Sequence, residues 1–460
     1  MANPIVTVLV SETVAPTPNN LQKTGAILSQ GATTTAQGTS SLLTQASDFT
    51  AIARAASAIT SLTWSGGVVT ATIPANAAFT PADTLMMTIA GASPSGYNGT
   101  FTATIVSTTE FTYPLAANPG SSPASPPGTY IEANAAEVQA MVDTFFAQGS
   151  QQAVYVLELG PGNATDAVTY LSSWITENPN IYYSYLCPRG FANNASFITF
   201  VQQFEAPNAK TYFYVTMTTG NYTSFTPLMK CVKGLVEAPG IPATEFSHAS
   251  DFQHDLSYAP SSTNKVTPNA FAFLYDVTPY PLPGNGPLLS ALKAASVNYV
   301  GTGAEGGISN TMLLWGTTMD GNDFTFWYSA DWMQINGELN LANAIINGSN
   351  NPINPLYYDQ DGINRLQAVL AATCTSAVQF GLLLGPPVQT ALTASALAAA
   401  IDAGSYINQT VVNAIPFIAY TTASPGDFKI GKYAGLSVSG YTPNRGFISI
   451  VFNLNITNFA

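Results

Sequence analysis

The chain has 460 residues, of which 8% are charged, and its formal net charge is −13. Its 12 Lys and Arg residues do not cluster, which excludes an electrostatic surface for nucleic acid or for anionic lipid. With so few charges, Thr, Ser, Asn, Gln and backbone must form the solvent-facing surfaces, which is typical of a protein largely covered by other proteins. At this length we expect roughly two to four domains.

The three cysteines, Cys187, Cys231 and Cys374, lie far apart and give neither a disulfide framework nor a CxxC metal pattern. We interpret them as buried thiols of a chain that folds in a reducing cytoplasm. The first residues carry no basic region ahead of an apolar core, and no apolar run approaches the ~18 residues of a membrane span. We therefore expect neither export by a standard signal nor direct membrane insertion.

The chain begins with a strand-forming run. Most residues of this run are β-branched, and a Pro-rich segment over 14–20 prevents the ladder from continuing. A strand with open edges pairs readily with another chain. We therefore interpret the run as a subunit-interaction strand with a tether at 16–20. Its residues are Ile5, Val6, Thr7, Val8, Leu9 and Val10.

The first part of the chain, residues 1–58, also contains a short mixed run at 21–28 and an Ala-rich helical pattern over 42–59. We assign residues 1–58 to the N-terminal arm and the start of an inner domain.

Residues 59–128 change to short strands separated by turns. A Gly66-Gly67 turn joins two strands, and further strands follow at a spacing typical of all-β folds. We expect an inserted β-sandwich-like module that ends in a Pro/Ser/Gly-rich linker. The later strands are predicted at 85–89, 99–106 and 110–115.

Residues 129–304 alternate apolar strands with amphipathic helices, which predicts an α/β domain with a mostly parallel sheet covered on both faces. The predicted strands are 153–159, 181–187, 211–217 and 270–275. The predicted helices are 137–146, 165–177, 195–204, 225–236 and 287–295.

Residues 305–460 form the C-terminal part of the inner domain. The pattern predicts strands at 311–318, 324–328 and 411–419 and helices at 331–346, 361–384 and 394–403. The chain ends in a run of alternating apolar and polar residues, which has the period of a half-buried strand. We interpret it as a second subunit-interaction strand, with a tether at 440–445, although two terminal strands could instead close a sheet within their own domain. Its marked residues are Phe447, Ile448, Ile450, Phe452, Leu454 and Ile456.

Few residues are suited to catalysis. His248, Asp251, His254 and Asp255 could form a metal or acid/base site, but a polar surface loop is the more common meaning of such a pattern. The GxGxxG pattern at 301–306 lacks the following helix that dinucleotide binding requires.

Two further patterns are equally weak. Asp359 and Asp361 begin an incomplete calcium loop, because Leu370 stands at the twelfth position. Trp327, Tyr328 and Trp332 could line a sugar groove or pack in a core. We expect no cofactor, no metal and no enzymatic activity.

This order of elements resembles the contractile tail sheath proteins of bacteriophages. The most specific part is 307–336, where an apolar strand runs into Trp315 and Gly316, the family motif, and a second segment carries aromatic residues. The family often has basic residues after this motif, whereas 330–332 has none. The resemblance covers about 180 residues in sequence and the whole chain in organisation.

The resemblance implies an α/β multidomain fold: an inner α+β domain built from both chain ends, an inserted α/β open-sheet domain and a small inserted all-β module. It implies a structural virion protein that forms hexameric rings stacked into a helical sheath. Its partners would be a tail tube protein, baseplate proteins and a tail terminator, and it would assemble in the host bacterial cytoplasm. A fibre, spike or surface-array protein, or a carbohydrate-active enzyme, is the alternative.

Overall fold

The computed structural model describes residues 21–76, 79–149, 152–161, 163–206, 208–225, 229–303, 308–403 and 410–448, which form a mixed α/β structure with several sheets. The strands are β1 (Gly25–Ser29), β2 (Ser40–Leu43), β3 (Ser57–Ala58), β4 (Ser61–Ser65), β5 (Val68–Thr72), β6 (Thr84–Ala90), β7 (Gly99–Ser107), β8 (Glu110–Pro114), β9 (Thr129–Glu132), β10 (Val154–Glu158), β11 (Ser184–Leu186), β12 (Tyr212–Met217), β13 (Val232–Val236), β14 (Tyr299–Gly301), β15 (Met312–Leu314), β16 (Val388–Ala391), β17 (Val411–Ala414) and β18 (Leu436–Ser439). The α-helices are α1 (Ala46–Thr50), α2 (Ala133–Phe146), α3 (Ala164–Glu177), α4 (Ala195–Val201), α5 (Ser247–Leu256), α6 (Gly286–Ala294), α7 (Phe324–Ser349), α8 (Gln360–Gln379), α9 (Ala394–Asp402), α10 (Phe417–Ala423) and α11 (Pro425–Lys429).

The largest sheet has the strand order β13-β12-β11-β1-β10-β2. Its strands are parallel except β2, which runs antiparallel to β10. The predicted strands at 153–159, 181–187 and 211–217 are confirmed as β10, β11 and β12. Helices α2 and α5 pack on one face and α3 and α4 on the other, because apolar side chains of parallel strands are buried on both sides.

Strand β1, where the sequence predicted only a mixed run, lies in the middle of this sheet with every residue buried. Leu28 packs with α3 and α4, and Ile27 packs with α2 and α5. Gly25 allows the close approach of α5, since a Cβ there would lie 2.5 Å from Leu256 Cδ1. The N-terminal segment therefore shares a sheet with residues 154–236, while the domain boundaries stay a prediction.

Two predicted elements have the wrong type. Where the structure describes the predicted helix at 225–236, it contains β13, whose five consecutive buried residues have no amphipathic period. The predicted strand at 324–328 is the start of α7. Phe324, Tyr328 and Trp332 are buried at four-residue spacing, which is one face of a helix, and the alternation within 324–328 concealed this longer period.

Other predicted elements are shorter than expected: the strand at 311–318 is reduced to β15, and the strand at 411–419 is reduced to β17, because α10 begins at Phe417. The helix over 42–59 is reduced to α1, and the strand at 270–275 contributes a single bridge, from Phe273 to Met312.

Strands β3 to β9 form an antiparallel sheet in the order β3-β9-β6-β7-β8-β5-β4, which confirms the predicted strands of this region. Gly66 and Gly67 join β4 to β5 with φ values of +59° and +89°, a conformation that glycine adopts without a Cβ clash. One face packs into its own apolar cluster. The opposite face carries a row of cross-strand threonines, Thr63, Thr70, Thr112, Thr104 and Thr84.

Helices α7 and α8 connect the core of the large sheet to a second, three-stranded sheet with the order β16-β17-β18. Leu370 of α8 and Val412 of β17 lie in the same apolar cluster as Tyr328 of α7. Gln367 Nε2 also donates hydrogen bonds to the carbonyl oxygens of Thr390 (2.7 Å) and Val412 (2.8 Å). Helix α8 therefore fixes the position of this C-terminal sheet.

The three cysteines are buried free thiols, as predicted. Burial raises the pKa of the Cys187 thiol well above its ordinary value, so this thiol stays protonated and unreactive. Within the described ranges, no helix combines the length and the apolar character needed to cross a bilayer.

Candidate assembly site

The motif residues Trp315 and Gly316 form a turn directly after β15. Both have positive φ, +84° and +65°. The Gly316 carbonyl accepts a hydrogen bond from Phe324 N (3.0 Å), and Met319 N donates to Val232 O (2.9 Å) in β13. The Trp315 ring faces the ammonium group of Lys293, 4.1 Å from the ring centroid. The motif thus joins the edge of the large sheet to the start of α7.

Gly316 packs directly against the backbone of the preceding loop. A Cβ at this position would lie 2.5 Å from Asn269 Oδ1 and 2.6 Å from Asn269 C. Asn269 Oδ1 is held by a hydrogen bond from Lys233, and Asn269 C belongs to the main chain, so neither atom can move away from the added Cβ at low cost. The motif therefore requires glycine for its conformation and for this contact.

We expect Gly316→Ala to lower the free energy of unfolding by about 1–3 kcal/mol, from left-handed backbone strain and the clash with Asn269. The matched control is Gly240→Ala, because Gly240 also has positive φ (+76°) but has no atom within 4 Å of the added Cβ. Urea denaturation of both variants gives the comparison. Equal losses in the two variants would contradict the specific role of the Asn269 contact.

Asn269 belongs to a fully buried ionic cluster. Lys233 Nζ donates to Asp251 Oδ1 (2.7 Å), Asp255 Oδ2 (2.6 Å) and Asn269 Oδ1 (2.9 Å). Tyr214 Oη and Asn269 Nδ2 donate to the Asp255 carboxylate. All three ammonium hydrogens of Lys233 are thereby used, as a buried charge requires. The ionic cluster links β13, α5 and the Gly316 turn.

The predictions for His248, Asp251, His254 and Asp255 were wrong in location. These residues lie on α5 rather than in a surface loop, and all but His254 are buried. Burial, and then the charge of Lys233, lowers the pKa of His248 well below its ordinary value, so it is neutral. Among the described residues no group of three or more His, Cys, Asp or Glu side chains is placed to hold a metal ion.

The two aspartates of the ionic cluster differ in protonation. Burial raises the pKa of Asp251 to about 7, against the opposing effect of Lys233. For Asp255, burial acts in the same direction, but Lys233 and His254 outweigh it and hold the pKa below its ordinary value. Asp255 is therefore the ionised partner of Lys233, and Asp251 keeps its proton up to about neutral pH.

This difference predicts a pH dependence for Asp251→Asn. In the folded wild type Asp251 holds its proton up to a pKa of about 7, whereas the unfolded chain releases it near its ordinary value. Wild-type stability therefore falls as pH rises through this window. We therefore expect the free energy of unfolding of Asp251→Asn, relative to that of wild type, to increase between pH 4 and pH 7. Urea titrations at each pH measure this difference. The exposed Asp166→Asn is the control variant, and a trend equal in both variants would contradict the assignment.

The remaining candidate residues make contacts that hold helices and the core together. Asp359 caps α8 by accepting a hydrogen bond from Gly362 N (2.8 Å). Tyr328 and Trp332 are buried in the core, and Trp327 Nε1 donates to Asp320 Oδ2 (2.8 Å), so these rings do not line a sugar groove. Of the GxGxxG pattern, Gly301 ends β14 and residues 304–307 lie outside the described residues.

Within the last described residues, Thr442 and Asn444 are hydrogen-bonded to the segment that follows α8. Leu384 N donates to Thr442 O (3.0 Å), and Asn444 N donates to Leu382 O (3.1 Å). The Arg445 guanidinium lies 4.5 Å from the centroid of the Phe326 ring. The prediction of a free tether at 440–445 is therefore wrong, because main-chain hydrogen bonds hold this segment.

The predicted subunit-interaction strands lie mostly outside the described residues. This holds for residues 5–10, for the tether at 16–20 and for 449–460. Phe447 and Ile448 are described, and Phe447 is 79% exposed. The described part of the C-terminal strand former therefore begins at an exposed residue, Phe447.

One solved structure decides the fold. A chain in the cryo-EM structure of the anti-feeding prophage baseplate, with six-fold symmetry imposed, is 11% identical to this chain and has a TM-score of 0.51. The likeness covers 99% of this chain and 100% of that one. The chain has the fold of this baseplate protein. The resemblance to phage tail proteins that the sequence indicates is confirmed as a likeness of fold to this prophage baseplate chain.

Sheath structures are similar with lower scores. The anti-feeding prophage helical sheath in its contracted state is 11% identical, covers 99% of both chains and has a TM-score of 0.48. The sheath tail protein from Listeria innocua is 11% identical over 80% of this chain and 87% of that one, with a TM-score of 0.40. No protein-family model and no curated protein sequence matches the chain.

Proposed function

We propose that this chain is a contractile tail sheath subunit. It polymerises as hexameric rings stacked helically around a tail tube, and contraction of the polymer drives the tube through the host envelope. Its partners are further copies of itself, the tail tube protein, the baseplate and the tail terminator, and its location is the virion tail. The observation that carries this proposal is the likeness of fold over 99% of the chain to a chain of a six-fold symmetrised assembly.

In this function the subunit is a rigid body held by exchanged strands. Residues 1–58 and 305–460 supply the inner domain, and 59–128 and 129–304 are the inserted β module and the outer α/β domain. The strand formers at 5–10 and 447–456 add to sheets of neighbouring copies. Strand exchange keeps the copies linked while contacts between rigid subunits change.

The edge of the C-terminal sheet at β16 is suited to receive such a strand. Val388 N donates to Thr410 O (2.9 Å) and Leu392 N to Ala414 O (3.1 Å), so even-numbered residues turn their main chain toward β17. Gln389 and Ala391 turn theirs away, and no described residue bonds to these outward groups. An added strand would find free donors and acceptors there.

The surroundings of this sheet also favour burial by other copies. Several large apolar side chains are exposed near it, and the described part of α9 buries no residue. Exposed apolar area of this kind marks contact surfaces in proteins that assemble. The exposed side chains are Leu384, Val388, Ile401, Ile418, Phe428 and Ile430.

Gln389→Pro tests the β16 edge. Proline removes the outward N–H and places its ring at the edge, while the bonds of Val388 and Leu392 to β17 remain. We expect an unchanged melting temperature. The protein concentration at which assembly begins should rise about tenfold, which corresponds to the loss of roughly one hydrogen bond and the packing around it. The matched control Gln389→Ala keeps the N–H and should assemble as wild type, by light scattering. Equal thresholds for the two variants would contradict strand addition at β16.

Negative-stain microscopy of the purified protein tests the function. Hollow helical tubes or hexameric rings support a sheath subunit. Flat arrays or trimeric fibres would indicate another assembly protein, and dispersed globules at high concentration would contradict assembly altogether.

A further inference from the structure

Residues 273–275 form an open edge beside β15, whereas Phe271 N donates to Leu313 O (3.0 Å) and so faces β15. Leu313 N donates to Ala272 O (2.9 Å), and Leu274 N donates to Thr311 O (3.1 Å), so these two residues turn their main chain toward β15. By the alternation of an extended chain, the N–H and C=O of Phe273 point the other way. No described residue bonds to them. The edge can therefore accept one further strand.

The same edge carries a strip of exposed aromatic side chains. Phe271, Phe273 and Tyr275 are 39%, 55% and 58% exposed, whereas Ala272 and Leu274 between them are buried. The Phe271 ring also meets the motif Trp315 edge to face, with 6.3 Å between ring centroids. Exposed aromatic strips on an unpaired edge are aggregation hazards unless something covers them.

Gln148, after the end of α2, already imitates a neighbouring strand at one position. Tyr275 N donates to Gln148 Oε1 (2.9 Å), and Gln148 Nε2 donates to Tyr275 O (2.8 Å). A side-chain amide thus makes the two hydrogen bonds that a peptide group of an added strand would make. The amide can be displaced by such a strand without leaving the Tyr275 groups unpaired.

The C-terminal strand former starts next to this edge. The position of a Cβ on Gly446 lies 2.5 Å from Pro268 Cβ, and Pro268 precedes Phe273 by five residues. Five residues span at most about 18 Å, and the ten residues 447–456 span about 33–36 Å when extended. The segment is therefore long enough to lie along the whole edge of its own subunit.

We propose that in the unassembled subunit the C-terminal strand former, residues 447–456, docks in cis on the edge at 273–275. Its backbone pairs with Phe273 and replaces Gln148 at Tyr275. Its apolar set, Ile448, Ile450, Phe452, Leu454 and Ile456, extends the aromatic strip, while its polar residues take the opposite face. Edge and strand protect each other until a neighbouring copy offers another sheet.

The segment of the same chain should occupy the edge before the segment of a second copy, because its local concentration at the edge is higher. A segment tethered beside its site has an effective concentration in the millimolar range, far above that of free subunits in dilute solution. Docking in cis does not require the proposed function, but the exchange that follows it rests on that function.

A disulfide test separates the possibilities. The full-length variant Phe273→Cys with Phe452→Cys is oxidised in dilute, unassembled solution, where the native Cys187, Cys231 and Cys374 are buried. The matched control pairs Phe452→Cys with Ile353→Cys, because Ile353 is 93% exposed and lies in a loop outside the edge. Non-reducing gels and peptide mass mapping then locate the disulfide.

We expect a disulfide within one chain in the 273/452 variant, at least about tenfold more abundant than in the control. Equal yields in both variants would overturn the proposal, and so would a disulfide only between chains, which would assign the edge to a second copy. Tube formation is scored separately, by microscopy of the wild-type chain, because a cis disulfide would itself block strand exchange. A failed cis disulfide with normal tubes refutes the resting site alone, whereas absent tubes with a cis disulfide refute the proposed function alone.

Discussion

A chain that lacks residues 2–10 is expected to fold as a monomer that no longer polymerises. Residues 5–10 would contribute a ladder of main-chain hydrogen bonds and several apolar side chains, each worth roughly 1.5–3 kcal/mol when fully buried. Losing them raises the assembly threshold by several orders of magnitude. The strands of the large sheet and the helices that cover its faces all lie beyond residue 20, so we expect the circular dichroism spectrum and the melting temperature to stay unchanged.

The control for this deletion removes Ala2, Asn3 and Pro4 alone. It keeps the whole strand former and should assemble as the full chain does. Sedimentation velocity and negative-stain images give the readout. Tubes formed by the longer deletion at the same concentration as by the control would refute strand exchange at the N-terminus.

Replacing Lys233 by methionine is expected to cause the largest loss of stability of any single substitution proposed here, about 3–5 kcal/mol. Methionine has a similar volume, but it leaves Asp251 and Asp255 adjacent, buried and without a cation. Asn269 also loses its donor, so the Gly316 turn loses part of its support. Chemical denaturation at neutral pH measures the effect.

Two controls make this experiment specific. Lys432→Met removes an exposed lysine whose Nζ lies 3.4 Å from Asp427, and it should change stability little. Adding Asp255→Asn to Lys233→Met removes the carboxylate that is left ionised without a cation, because Asp251 is protonated up to about neutral pH, and it should recover part of the loss. A mild effect of Lys233→Met alone would contradict the role of the ionic cluster.

The strands of the large sheet and of the β module were predictable, because each is a short apolar or alternating run between turn residues. Prediction failed where tertiary packing decides. Strand β13 contains Lys233 and Gly234, which no strand pattern favours. The strand can be buried because Asp251 and Asp255 of α5 form ion pairs with Lys233. The start of α7 was mistaken for a strand because five aromatic-rich residues fit both periods.

Of the candidate assembly site, only the strand formers at the two ends of the chain could be predicted from the sequence. The composition of residues 5–10 and 447–456 predicts strands. Which strands they pair with depends on sheet edges formed by residues distant in sequence. The open edges at 388–391 and 273–275 follow from register, and register is set by neighbours such as Thr410 and Leu313. Likewise, the anchoring of 440–445 depends on main-chain groups of Leu382 and Leu384 after α8, which no local pattern reveals.

The most direct test of strand exchange is a cryo-EM structure of the assembled polymer at a resolution that traces the backbone. We predict that residues 5–10 and 448–456 of each copy lie in sheets of neighbouring copies, with a foreign strand bonded to Gln389 and Ala391 of β16. A polymer in which both ends of every chain pair only within their own subunit would contradict this account.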